Sequence, residues 1–287
     1  MSAAKVAFVI AAHTYPEQVV RLIRRLASDR ATFVVHVDRR ASNDVDEVIR
    51  QGIRGVADVH FVARHRCYWA GFGVVDATLA AFDHLLDRDV PFTHAVLLSG
   101  QDYPLRPPEA IERFFQEAEG RTFMKCVPLP TPFWAEGGLP RIEHWYLVSR
   151  RRVRVRVPWR RRIPGGLMPY GGETWGSFAR PMAAYIREFV QQNPRYVHFF
   201  KHVLHANELF FQTIMMNSPL AETIVQDDLR YIDWSADPGP AVLRTSDFEQ
   251  MSHSGKLFAR KFDVAVDGAI LDRLDAHIDR ARARAKT

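Results

Sequence analysis

Residues 5–26 read KVAFVIAAHTYPEQVVRLIRRL, and two periods meet in them. From Lys5 to Ala12 the chain is almost wholly apolar without alternation, the pattern of a strand covered on both faces in a parallel sheet. Pro16 then opens a segment in which Val19, Val20, Leu22, Ile23 and Leu26 recur at helical spacing. The proline falls in the first turn, where its missing N–H is not needed. A buried strand followed at once by an amphipathic helix is the first half of a βαβ unit.

The alternation continues outward from there. Residues 32–37 (TFVVHV), 56–62 (VADVHFV), 93–99 (THAVLLS) and 121–127 (RTFMKCV) are expected strands, and 42–50, 72–86 and 107–119 are expected helices. This order predicts a Rossmann-type α/β fold, with a mostly parallel sheet, right-handed crossovers and helices on both faces. Residues 128–172 are rich in Pro, Gly, Arg and Trp and have no clean period, so they read as an excursion near the site. Helices are expected again over 181–192, 202–217 and 267–283.

With 287 residues, 47% hydrophobic and 25% charged, the chain has an ordinary globular composition. Disordered, collagen-like and disulfide-dense classes are excluded. No stretch approaches the roughly 18 apolar residues of a membrane span, and no secretory leader is evident. The two cysteines, Cys67 and Cys126, suit a reducing compartment, so a cytoplasmic location is expected.

The net charge is +6, yet residues 150–162 (RRRVRVRVPWRRR) alone hold eight arginines. The basic character is therefore local. An extended RVRVRV segment puts arginines on one side and valines on the other. Together with Trp159 this suits an anionic partner met by Arg150, Arg151, Arg152, Arg160, Arg161 and Arg162, either the inner membrane face or the phosphate of a lipid-linked acceptor. No nucleic-acid-binding motif accompanies the run, and nucleic acid is not expected as a partner.

In open parallel sheets ligands bind beyond the carboxyl ends of the strands. Those ends carry His13-Thr14, Asp38, Arg64-His65-Arg66 and Gly100-Gln101-Asp102, and four polar ends on one rim imply a cleft. No G-x-G-x-x-G follows the first strand, and neither a G-x-x-x-x-G-K-S/T loop nor a G-x-S-x-G elbow occurs. A nucleotide fold without a glycine phosphate loop fits a nucleotide-sugar transferase. The D-x-D matches Asp44-Val45-Asp46 and Asp87-Arg88-Asp89 sit at a helix start and a helix end and read as solvated caps. His198, His202, His205 and Glu208 could line one helix face, but four ligands spread over about 15 Å cannot share one ion, so no metal site is expected. Trp69, Trp134, Trp175 and Trp234 are candidates for stacking on sugar faces.

The segments AHTYPEQVVRLIRRL, VVHVD, WAGFGVVDATLAAF, LLSGQDYPLR, ANELFFQTIMMNS, LRYIDW and LFARKFD decide more. In this order they resemble the core-2/I-branching β-1,6-N-acetylglucosaminyltransferases and peptide O-xylosyltransferases (glycosyltransferase family 14), as a soluble bacterial-type member. The resemblance runs from about residue 6 to residue 275. It implies a GT-A-like fold, inversion at the anomeric carbon, a UDP-sugar donor and no obligatory metal or other cofactor. GlcNAc is the expected sugar, with xylose the runner-up, and the acceptor is a hydroxyl of a glycan or other carbohydrate-bearing molecule.

Carried over by position, the resemblance makes Glu208 the catalytic base and puts Asp38 at the uridine. Arg260 and Lys261 would hold the diphosphate. His13, Arg64 and Gly100 complete the donor side, while Asp102, Trp69, Trp175 and Trp234 fall on the sugar and acceptor side. From spacing alone, Glu208 reads instead as a buried carboxylate paired with an arginine. Two departures stand out: Ala206-Asn207 where the family usually has Pro-Asp before the glutamate, and Ala241 after Pro240 where many members carry a basic residue, a role Arg244 could fill. One domain is expected over residues 1–287: a nucleotide-binding half (1–127), an acceptor-side excursion (128–180), and a half with the base and the diphosphate cations (181–287). The rival from another class is a catalytically silent carbohydrate- or nucleotide-binding protein.

Overall fold

Val6, Phe8, Ile10 and Ala12 of the first strand face one apolar core, while Ala7 and Val9 face a second. That two-sided burial is why the strand shows no polar alternation. The computed structural model describes residues 5–149, 152–157, 159–236 and 239–284. Its first half runs β1 (Val6–Ala12), α1 (Pro16–Leu26), β2 (Ala31–Val37), α2 (Asn43–Gly52), β3 (Val59–Phe61), α3 (Gly73–Asp87), β4 (His94–Ser99), β5 (Asp102–Pro104), α4 (Pro108–Glu117), β6 (Thr122–Phe123) and β7 (Val127–Pro128). The second half adds α5 (Pro140–Glu143), β8 (Trp145–Ser149), β9 (Arg152–Val157), β10 (Tyr170–Gly171), β11 (Ser177–Ala179), α6 (Arg180–Gln192), α7 (Pro194–Phe200) and α8 (Phe210–Met216). It closes with β12 (Ile224–Val225), β13 (Arg230–Ile232), α9 (Phe248–Ser252), β14 (Phe258–Arg260) and α10 (Ala269–Arg284).

The central sheet has seven strands in the order β12-β6-β11-β4-β1-β2-β3. All its pairs are parallel except those of β11, which runs antiparallel between β4 and β6. Helices α1, α2, α4, α9 and α10 cover the face that buries Phe8, and α3, α6, α7 and α8 cover the other. The expected α/β class with helices on both faces is what the structure has. A second sheet, β13-β14-β5, lies at the end of β4 and joins the chain's last strand to the turn after Ser99.

Three expectations are corrected. The strand over 121–127 divides: β6 joins the main sheet, while β7 pairs with β10. The short antiparallel strand β11 was not expected, since three residues are too few to show a period. The helix over 202–217 is broken, because His205 takes a left-handed conformation (φ 54°), a short 3-10 turn follows at Ala206–Glu208, and α8 starts only at Phe210. The excursion is ordered around the antiparallel hairpin β8–β9, whose register shifts between Leu147 and Val148.

Candidate active site

Residues 170–177 (YGGETWGS) tie the parts of the site together. Gly172 passes so close to the preceding chain that a Cβ there would overlap the carbonyl oxygen of Lys125. Its N–H donates to the Glu208 carbonyl at 2.9 Å. One residue on, the Gln212 amide donates to the Glu173 carbonyl at 2.7 Å, and Asn207 donates to the Thr174 hydroxyl at 2.6 Å. Trp175 then lies beneath the Arg260 guanidinium, 4.1 Å from its ring centre. From Gly172 to Trp175 the chain can span at most about 10 Å. The same short segment thus anchors the turn that bears Glu208 at one end and Arg260 at the other.

Glu208 stands at the end of the 3-10 turn, half-buried, with its side chain 28% exposed. Arg141 donates to its Oε2 at 2.7 Å. Burial pushes the Glu208 carboxyl above the usual carboxylate range, and the Arg141 guanidinium pulls it back. Arg141 in turn lies over the Trp134 ring at 4.0 Å, and Gly138 and Gly171 leave no room for a Cβ beside that ring. On the other side His205 Nδ1 is 3.7 Å from Oε1. Burial, with the neighbouring Arg141, lowers the His205 pKa to about 4, so the ring is neutral at pH 7 and leaves the carboxylate charge to Arg141. The exposed Trp69 meets His205 edge-on at 4.7 Å. Of the two readings of Glu208 made from sequence, the pairing with an arginine is what the structure shows, and the carboxylate lies beside His205 and Trp69.

At the other end, Arg260 and the fully buried Arg230 share Asp102, whose oxygens are 3.8 and 3.4 Å from their Nε atoms. Asp102 also accepts from the Ser99 N–H at 2.8 Å and from the Ser99 hydroxyl. Expected in the sugar and acceptor part of the cleft, Asp102 is instead wholly buried beneath the two arginines, because two guanidiniums in the interior need a counter-charge. It positions Arg260. Lys261, half-buried, makes no ion pair among the described residues.

Sequence reasoning missed Arg141 and Glu173. Burial pushes the Glu173 carboxyl up to about 7, against the pull of Lys125 and with further push from Asp228 and Glu208. No periodic or motif signal marks Glu173, apart from its place two residues before Trp175.

On the strand rim, His13 is exposed and within electrostatic reach of Asp38 and Arg40. Asp38 is buried and caps its turn, Oδ1 accepting from the Arg40 N–H at 2.8 Å and the Cys67 N–H at 3.3 Å. Arg64 is engaged in that turn, donating to the carbonyls of Asp38 and Ala41 and to Asn43. Gly100 packs where a Cβ would press on Val19. Trp234 is exposed beyond β13, and no described contact joins it to Glu208. His198 meets Trp145 edge-on at 6.4 Å and His202 lies tilted against the same ring at 4.6 Å. Among the described residues no group of three or more His, Cys, Asp or Glu is placed to hold a metal.

Of the arginine run, Arg150 and Arg151 lie outside the described residues, and Arg152 lies in β9. Arg161 is committed to the fold: it donates to the carbonyls of His144, Phe199 and His202 and lies over the rings of Trp145 and Phe199. Arg160 and Arg162 are exposed beside Trp159. No helix among the described residues is long and apolar enough to cross a membrane.

Xylosyltransferase 1 of Canis lupus familiaris and of Homo sapiens are each 25% identical to this chain over 299 residues, covering 96% of it and 30% of their own length. Xylosyltransferase 2 of Rattus norvegicus is 25% identical over 305 residues, covering 96% of the chain and 34% of its own length. The chain thus spans well under half of these relatives. Among solved structures, mouse xyloside xylosyltransferase 1 in its apo form aligns with a TM-score of 0.40 and 14% identity, over 88% of this chain and 97% of that one. A family profile described as Core-2/I-Branching enzyme matches residues 6–255. The chain belongs to the core-2/I-branching enzyme family.

Proposed function

We propose that this chain is an inverting glycosyltransferase that moves a sugar from a UDP donor to a hydroxyl of a carbohydrate-bearing acceptor. The observation that carries the reading is the 172–175 segment, whose Gly172 N–H holds the Glu208 turn and whose Trp175 lies against the Arg260 guanidinium. Inverting transfer needs a base for the attacking hydroxyl and cations for the departing diphosphate, set on opposite sides of the transferred sugar. Glu208 takes the proton. Arg260, aimed by Asp102 and Trp175, and the unpaired Lys261 meet the diphosphate, a charge that guanidinium and ammonium groups can neutralise without a metal.

GlcNAc is the sugar the motifs favour, whereas the names of the relatives favour xylose, so both UDP-sugars belong in the test. Titration calorimetry in saturating EDTA should show UDP binding, tighter binding of one of the two UDP-sugars than of the other, and at least a tenfold loss of UDP affinity in Lys261→Ala. UDP binding that requires added manganese, or that is unchanged in Lys261→Ala, would contradict the assignment.

A further inference from the structure

From His144 to Gly172 the chain has eight arginines and no Asp or Glu. Those eight belong to 39 Lys and Arg set against 33 Asp and Glu, so the rest of the molecule carries a slight negative excess. Charge so concentrated selects an anionic partner for this stretch alone.

Arg161 fixes how the stretch is displayed. Its N–H donates to the Glu143 carbonyl at 2.9 Å, and its guanidinium donates to the carbonyls of His144, Phe199 and His202. Ile163, two residues on, is buried in the second core. With Arg161 and Ile163 held inward, their neighbours stand outward: Trp159 is 77% exposed, the Arg160 side chain 80%, and Arg162 is exposed as well. Arg162 forms no ion pair among the described residues, and Arg160 has only Glu143, at 3.8 Å. On the hairpin that leads into this loop, Arg156 and the apolar Leu147 are also exposed.

A tryptophan left in water between free arginines forgoes the burial of a large apolar ring. At a bilayer surface both are satisfied, the indole at headgroup level and the guanidiniums on the phosphates. A nucleic acid would call for further rings on which bases stack, and Leu147 offers none. The loop is also braced to the base. Glu143, whose carbonyl receives the Arg161 N–H, ends the short helix α5, whose Arg141 holds Glu208.

We propose that Trp159, Arg160 and Arg162, with Arg156 on the adjoining strand, dock this chain on an anionic lipid bilayer, the loop being held for that contact by Arg161. The docking surface goes beyond the glycosyltransferase reading and stands without it. Since Trp159, Arg160 and Arg162 are exposed, the variants Arg160→Ser/Arg162→Ser, Arg160→Lys/Arg162→Lys and Trp159→Ser should all melt at the wild-type temperature.

The test is sedimentation of the full chain with vesicles of phosphatidylcholine alone and of phosphatidylcholine mixed with phosphatidylglycerol. Binding is expected to the mixed vesicles only, and to weaken as added salt screens the arginines. An arginine at an anionic surface is worth about fivefold in binding, so Arg160→Ser/Arg162→Ser should bind at least tenfold more weakly. Trp159→Ser should also bind more weakly, whereas Arg160→Lys/Arg162→Lys should bind like the wild type, because a bilayer reads charge rather than the guanidinium fork. Equal binding to both kinds of vesicle, no binding to either, or undiminished binding by the Ser pair would overturn the proposal. A Lys pair as weak as the Ser pair would also overturn it. So would tighter binding to polyuridylate than to the mixed vesicles, which would assign the surface to a nucleic acid.

Discussion

Two opposing effects meet on the carboxyl of Glu208: burial favours the protonated acid, and Arg141 at 2.7 Å favours the carboxylate. A base must be ionised to work, so Arg141 keeps the site competent toward lower pH. Arg141→Ala should move the acid limb of the pH profile of kcat/KM upward, since the opposite charge that holds the carboxyl down is removed. The profile measured by UDP release checks it; an unmoved limb would show that Arg141 does not govern the base. Glu208 was legible because ANELFFQ is a distinctive string. Arg141 was not, being a partner 67 residues away that only the fold brings near. Asp102 was found but misplaced, because sequence shows a carboxylate near a rim without showing the two arginines stacked above it.

At the scale of elements, Gly172 is the position with no room to spare. A methyl group there would collide with the Lys125 backbone, which is held on the neighbouring strand connection and cannot rotate aside. Gly172→Ala should lower unfolding free energy by about 1–3 kcal/mol and reduce turnover by more than the loss of folded protein accounts for, since the shift is passed to Glu208 through the 2.9 Å hydrogen bond. Urea unfolding and UDP release per folded molecule separate the two effects. The elements of the first half were legible because each keeps one period. The break at His205 was not, because Phe210 to Met215 are buried on every side, Gln212 and Thr213 included, and a segment with no exposed face carries no periodic sign of where a helix begins.

The whole molecule is a sheet between two cores, and histidines are buried in it as neutral rings. His36 and His94 are held near pKa 4 by burial. His36 Nε2 accepts from the His65 N–H at 2.9 Å, a bond that protonation would break. Their folded pKa values lie below the unfolded value of about 6.5, so the unfolded chain binds more protons in the acid range. The stability they contribute is full above pH 6.5 and is lost progressively as the pH falls toward 4. Between pH 7 and pH 5 each should remove about 2 kcal/mol of unfolding free energy. Urea unfolding at the two pH values checks this, and His36→Gln should show a shallower decline than the wild-type chain.

The central claim is that Glu208 removes the acceptor proton on a scaffold that holds the donor separately. Glu208→Gln preserves shape and the hydrogen bond from Arg141 while abolishing basicity. With the donor that binds best, the variant should keep UDP-sugar affinity within about twofold and lose on the order of 10²–10⁴ in kcat for UDP release. A variant that retains more than about a tenth of wild-type kcat would contradict the account and move the base to Glu173.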